Sequence, residues 1–424
     1  MAHWDVAIVG GGPAGLMAAA RAAERGRRTI LLDKNRRPGI KILLSGGARC
    51  NLTHATDARG IVAAFGPAGR FLHSALAALG PQDVVDFFEA EGVHTKVEPG
   101  GKVFPSSDRA ADVLAALVRR VKRSGCTLAL EEALKELQRG GNGFQLATTH
   151  QVLEAEKVIL ATGGQSYPAC GATGDGYRWA AALGHTIVTP RTALVPVTSH
   201  APWLRELQGI TVDDVALEVI DPGEKPILDV ADRNVCPTGQ LLARSRGSLL
   251  FAHFGVTGPV VLDVSRAVSG HPRPNTLRLR CDFLPDMRWE GLDALLLSQS
   301  AAAGRRQVAS LLDEWVAHRL AETIVAQAGL PPDRTAAEFS KAERRRLSQT
   351  IKGFDIPVAG TMGFRKAEVT AGGVALDEVD SRTMQSRIVP GLYFAGELLD
   401  LDGPIGGYNF QAAFSTGWLA GESV

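Results

Sequence analysis

The chain has 424 residues, 45% of them hydrophobic and 21% charged, with a net charge of +1. That composition excludes a disordered or fibrous chain, and the balanced charge offers no basic surface, so no nucleic-acid partner is expected. No apolar run has the length of a membrane span. The cysteines at 50, 126, 170, 236 and 281 show no CxxC spacing, which argues against a disulfide framework or a structural zinc site. The expectation is a cytoplasmic protein without metal or membrane.

The first unit in chain order is the most informative. Val6 to Val9 is a short apolar run of the kind buried on both faces of a parallel sheet. Gly10-Gly-Gly-Pro-Ala-Gly15 follows, then a small apolar helix to Ala23, then Thr29-Ile-Leu-Leu-Asp33. Strand, glycine turn, helix, strand and acid are the order of a dinucleotide-binding βαβ unit. Gly10 allows the sharp turn, Gly12 leaves room for a pyrophosphate, and Gly15 lets the helix lie close on the sheet. Pro13 and Ala14 open a helix whose free N–H groups favour a phosphate. Asp33 ends the second strand, where its carboxylate can accept ribose hydroxyls.

Further elements belong to the same domain. Pro81 to Gly92 and Ser107 to Ser124 read as amphipathic helices; Cys126 to Leu137 and Phe144 to Thr149 read as strands. Val158 to Ala161 is a buried strand ending in Thr162-Gly163-Gly164. Gly171 to Gly176 precedes a helix from Tyr177 to Leu183, with Asp175 as a candidate N-cap. At the other end, Gly391 to Glu397 is a strand running into a glycine turn, followed by a helix over 410–422. A domain with its first strand at residue 5 and its last near 393 must be discontinuous. Residues 1–191 and 354–424 are therefore assigned to an α/β nucleotide-binding domain. Residues 192–285, with runs at 194–197, 215–220, 249–254 and 277–283, read as an inserted antiparallel barrel or sandwich, with a return strand near 349–353. Residues 286–348, with apolar spacing at 292–297, 311–320 and 336–347, read as helices.

Three glycine loops carry the chemistry. Lys41 to Asn51 holds Ser45, Gly46, Gly47, Arg49 and Cys50, a turn that can offer backbone N–H groups to a bound dinucleotide. Ala161 to Gly164 ends a strand at the carboxyl edge of the sheet, where ligands bind. Gly396-Glu397 and Gly406-Gly407-Tyr408-Asn409-Phe410 open the last helix, whose N-terminus can stabilise negative charge on a reduced isoalloxazine. Loops from both ends of the chain suit a long extended ligand such as FAD, bound without a covalent link.

These blocks resemble the flavoprotein family described as BaiN-like or HI0933-like NAD(P)/FAD-dependent oxidoreductases, also called the aminoacetone-oxidase type. The matching stretches are GGGPAGLMAA (10–19), KILLSGGARCN (41–51), KVFPSSDRA (102–110), LATGGQSYPACGATGDGY (160–177), FAHFGVTGP (251–259), TAGGV (370–374) and GLYFAGELLDLDGPIGGYNFQAAFSTG (391–417). The resemblance implies a Rossmann-like, two-dinucleotide-binding FAD domain with an inserted β-barrel and a helical domain. It implies that 10–15, 33–34, 41, 45–51, 161–164, 396–397 and 406–410 line FAD, which adds Lys34 and Lys41 to the residues above. Ala48 stands where the family has a third glycine, and Asp33 where glutamate is common.

The leading expectation is a flavoenzyme passing a hydride from NAD(P)H through flavin to an activated C=C or carbonyl group of a small organic substrate. Arg49, Tyr167, His253 and Tyr408 are the candidate substrate-side residues. The alternatives are an amine or aminoketone oxidase using oxygen, a flavin-dependent RNA-modifying or RNA-binding protein, and a non-enzymatic flavin redox sensor.

Overall fold

The computed structural model describes residues 2–141, 143–223 and 239–424, and Cys236 falls outside them. Two compact units are present: Met1–Thr192 with Phe364–Val424, and Ala193–Gly363. The chain thus leaves the first unit and returns to it, and residues 354–363 go with the insert.

The first unit is built on a sheet whose parallel part runs, in spatial order, Thr127–Leu130, Thr29–Asp33, Ala2–Val9, Val152–Leu160 and Leu392–Phe394. Val6 to Val9 and the whole of Thr29–Asp33 are buried, as their unbroken apolar runs require. The strand Val152–Leu160 has a divided edge. Its first residues pair antiparallel with Gly143–Thr148, and Val158 to Leu160 pair parallel with Leu392–Phe394. Its burial alternates in the first part and becomes continuous in the last, matching the two kinds of partner.

Two helices pack against each other at this sheet, Pro13–Glu24 and Tyr408–Ser423. Their approach is set by glycine. A Cβ on Gly417 would lie 2.2 Å from the Ala14 carbonyl oxygen, and one on Gly421 would lie 2.5 Å from that of Ala18. A small antiparallel sheet of Thr53–His54, Lys102–Pro105 and Thr95–Val97 completes the unit.

Several elements differ from the sequence reading. Cys126 to Leu137 is two strands, Thr127–Leu130 and Leu134–Gly140, broken at Glu131, which has a φ of +56°. The helix after Gly174 begins at Asp175, with Gly174 as N-cap. Asp175 is therefore a first-turn acid and does not cap. Ala48 adopts the left-handed φ of +67° that a glycine would take freely, so the replacement keeps the turn at a cost of about 1 kcal/mol.

Among the described residues of the insert, seven antiparallel strands follow one line of pairings. The order is Phe354–Pro357, Arg278–Asp282, Thr211–Asp221, Gln240–Ala252, Gly255–Thr257, Val197–Thr198, Gly360–Thr361. The return strand expected near 349–353 lies at Phe354–Pro357, because residues 349–352 end the helix Lys341–Lys352. A helix, Pro259–Ser269, sits within the stretch read as all strand. The helices Trp289–Ala303, His318–Gln327 and Lys341–Lys352 share one hydrophobic core with the sheet, through Leu292, Leu320, Leu347, Leu279 and Phe354.

The helix contact yields a test. Alanine normally stabilises a helix interior by up to about 1 kcal/mol over glycine. At Gly417 the added methyl meets backbone, so Gly417→Ala is expected to destabilise by about 1–3 kcal/mol instead. A thermal melt checks this, and a midpoint at or above wild type would contradict it.

Candidate cofactor cleft

The carboxyl ends of the parallel strands open into a cleft of about 1390 Å³, solvent at its mouth included. Its walls come from both ends of the chain. Gly10, Gly12, Pro13 and Ala14 line it from the first turn; Asp33, Lys34 and Lys41 from the segment after the second strand; Ala161, Thr162 and Gly163 from the third; Gly396, Glu397, Asn409 and Phe410 from the last.

The first glycines divide by what they face. Gly10 has a φ of +105°, and a Cβ there would sit 2.5 Å from the Ala161 carbonyl oxygen. A Cβ on Gly15 would lie 1.8 Å from the carbonyl oxygen of Gly10. Both are required by backbone packing, and Gly15 does not line the cleft. Gly12 is different: a Cβ there meets nothing within 4 Å. Its open side is the cleft. Gly12 caps the helix Pro13–Glu24 without a side-chain hydrogen bond, and Gly407 does the same for Tyr408–Ser423. Residues of both first turns, Pro13 and Ala14 from one helix and Asn409 and Phe410 from the other, line the same cleft, and a helix start favours an anion there.

Charged side chains in the cleft are largely paired with protein groups. Asp33 accepts from the Gly11 N–H at 2.7 Å and the Asn35 N–H at 2.7 Å. Burial still holds its carboxyl above the usual range. Lys41 Nζ donates to Glu397 Oε2 at 2.6 Å, and Glu397 Oε1 accepts from the Thr370 N–H at 3.0 Å. Lys34 Nζ donates to Asp175 Oδ2 at 2.7 Å and to Thr173 Oγ1 at 2.6 Å. Burial would raise the Asp175 carboxyl, but Lys34, the Thr173 hydroxyl and Arg178 together outweigh it and hold the group low.

Other predicted residues lie beside the cleft or away from it. Ser45, Gly46, Gly47, Arg49, Cys50, Asn51, Gly164, Gly406, Gly407 and Tyr408 are not among its walls. Arg49 stacks over Phe104 at 4.1 Å and is held by Glu98 at 2.6 Å and Asp108 at 3.3 Å, which ties the 45–51 loop to the small sheet. Cys50 is fully buried, and burial pushes its thiol up to about 12, so it is no thiolate. A Cβ on Gly164 would meet Thr370 Oγ1 at 2.4 Å, so this glycine serves close packing. Gly406, Gly407 and Tyr408 form the turn into the last helix, with Asn51 next to Gly407. Tyr167 has a φ of +55° and its N–H bonds the Phe364 carbonyl; burial raises its phenol. His253 belongs to the inserted unit, exposed at the turn between Gln240–Ala252 and Gly255–Thr257, edge-on to Phe254.

Some walls escaped the sequence reading. Glu132, Ala133, Leu134 and Trp179 line the cleft, as do Cys170 to Thr173. The glycines at 171 and 174 were the only available signal, since Trp179 sits inside the helix Asp175–Ala182 and Leu134 opens the strand Leu134–Gly140 with no ligand motif beside them.

The HI0933-like protein Rossmann domain matches residues 4–423. The chain belongs to the HI0933-like family. It is 33% identical to a ribosomal RNA dihydrouridine synthase of Escherichia coli (strain K12), covering 100% of this chain and 98% of that protein. It is 30% identical to a 3-dehydro-bile acid delta(4,6)-reductase of Clostridium scindens, over 99% of this chain and 98% of that one. Among solved structures, a flavocytochrome c3 fumarate reductase aligns over 100% of this chain and 78% of its own at 17% identity and a TM-score of 0.46. The protein is an FAD-dependent oxidoreductase with a Rossmann-like α/β fold. Among the described residues, no helix is long and apolar enough to cross a membrane and no His/Cys/Asp/Glu cluster could hold a metal ion.

The cleft fits the cofactor on its own geometry. A cradle that a Cβ at Gly12 would fill and two uncapped helix starts are what a pyrophosphate and an electron-rich ring system need. Substitution separates the two kinds of glycine. Gly12→Ala is expected to cost the cofactor-free protein only the small loss of a poorer helix cap and to weaken FAD binding at least tenfold. Gly10→Ala is expected to lower the melting point of the cofactor-free protein further. Calorimetry of the apoprotein and fluorescence titration with FAD check both.

Proposed function

We propose that this chain passes a hydride from NAD(P)H, by way of non-covalently bound FAD, to a C=C bond conjugated with a carbonyl group. Bound FAD supplies hydride transfer at its isoalloxazine N5. The protein holds the ADP half with the Gly12 turn and Asp33. The Lys41–Glu397 pair and the start of the last helix take the flavin half. The observation that carries the reading is that one cleft draws walls from both termini, with an uncapped helix start from each.

The bond type rests on what the relatives are named for. A delta(4,6)-reductase of a 3-dehydro-bile acid acts on C=C bonds of a keto steroid. Dihydrouridine differs from uridine by two hydrogens across a C=C bond conjugated with a ring carbonyl. One class of hydride chemistry covers both names.

Of the four substrate-side candidates, Tyr408 is favoured as proton donor. It is not a wall of the cleft itself, its ring stacking on His54, but it is the candidate next to Asn409 and Phe410, which are walls. Arg49 is engaged by two carboxylates and serves the loop. Tyr408→Phe is expected to slow substrate reduction about 100-fold while leaving flavin reduction by NAD(P)H unchanged, as removal of a general acid does. Equal losses in both half-reactions would contradict this role.

A second reading gives the substrate as a uracil ring within RNA. It is favoured by two relatives named ribosomal RNA dihydrouridine synthase, at 33% and 30% identity over nearly the whole chain. The balanced charge speaks for a small molecule. Anaerobic mixing decides among the readings. NADH or NADPH should bleach the flavin within seconds, and the reduced protein should then be reoxidised by a conjugated enone or by ribosomal RNA. No bleaching by either nucleotide, with reduction by an amine instead, would establish the oxidase.

A further inference from the structure

Strand Thr53–His54 abuts the turn that starts the last helix. Gly406 and Gly407 both lie in the left-handed half of backbone space, with φ values of +130° and +95°. A Cβ on Gly406 would meet the Tyr408 ring at 3.1 Å and His54 Nδ1 at 3.3 Å. A Cβ on Gly407 would meet the Thr53 carbonyl oxygen at 2.4 Å. His54 Nδ1 donates to the Gly406 carbonyl at 3.1 Å, and its ring stacks on Tyr408 at 4.6 Å and 20°. Next to it, Thr53 Oγ1 donates to Gln411 Oε1 at 2.5 Å in the first turn of the helix. Two side chains of one short strand therefore grip both the turn and the helix start.

That helix start borders the cleft through Asn409 and Phe410. Its partial positive charge falls off within the first turn, so its effect on a ligand depends on where the turn is held. A glycine pair cannot hold itself, because each glycine has a wide range of alternatives. We infer that His54 is a positioning residue: its Nδ1–H bond to the Gly406 carbonyl aims the start of helix Tyr408–Ser423 at the flavin and thereby favours the reduced cofactor over the oxidised one. This rests on the cofactor lying along the cleft as described.

Two substitutions separate the bond from the stack. In His54→Asn, the amide Nδ2 stands in for Nδ1 and keeps the bond while the stack is lost. In His54→Phe, the stack stays and the bond is lost. The readouts are the FAD dissociation constant and the flavin midpoint potential, with melting points as a check on folding. His54→Phe should bind reduced flavin about tenfold less well relative to oxidised flavin, a fall in potential of about 30 mV for a two-electron couple. His54→Asn should keep a wild-type potential. Equal potentials in wild type and His54→Phe would overturn the inference and leave the cofactor reading standing. Failure of the wild-type protein to bind FAD at all would overturn both.

Discussion

Everything at the cleft depends on how closely backbones approach around the first helix. The Gly10 turn lies against Ala161, Gly15 lies against Gly10, and Gly417 lies against Ala14. Gly396 adds a fourth approach, since a Cβ there would meet that of Ala14 at 2.8 Å. No side chain could occupy these positions without moving a strand or a helix. Through them the two ends of the chain, almost four hundred residues apart, share one sheet and one cleft. The insert can be large because the closure relies on these contacts and on Val158 to Leu160 pairing with Leu392–Phe394.

The second consequence is electrostatic. Lys41 is matched by Glu397, Lys34 by Asp175, and Asp33 by two N–H groups. The starts of helices Pro13–Glu24 and Tyr408–Ser423 border the same cleft. Backbone donors at a helix start are fixed in place and cost little reorganisation when a phosphate or a reduced ring arrives. The proposed cofactor site would recognise FAD by shape and by the helix starts more than by net positive charge.

The first unit was legible because its signals are local. A strand buried on both faces, a glycine turn and an acid at a strand end all fall within residues 5–33, and the last glycine loop is as compact. What stayed hidden was pairing over distance. Arg49 looked free for a ligand because Glu98 and Asp108, which hold it, belong to other segments. Trp179 and Glu132 to Leu134 became cleft walls through packing that no periodicity announces. The helices of 289–352 had the right spacing, yet spacing could not say that they share the core of the neighbouring sheet. His54 gave no motif at all. Its place beside Gly406 follows from how the small sheet meets the last helix.

One continuous cleft is proposed to hold the two halves of FAD with residues from opposite ends of the chain. Calorimetric titration of the apoprotein with FAD, ADP and FMN tests it most directly. The account predicts one FAD per chain, competition by ADP for the same site, and much weaker binding of FMN, which lacks the half held by Gly12 and Asp33. FMN binding as tight as FAD, with no competition from ADP, would contradict it.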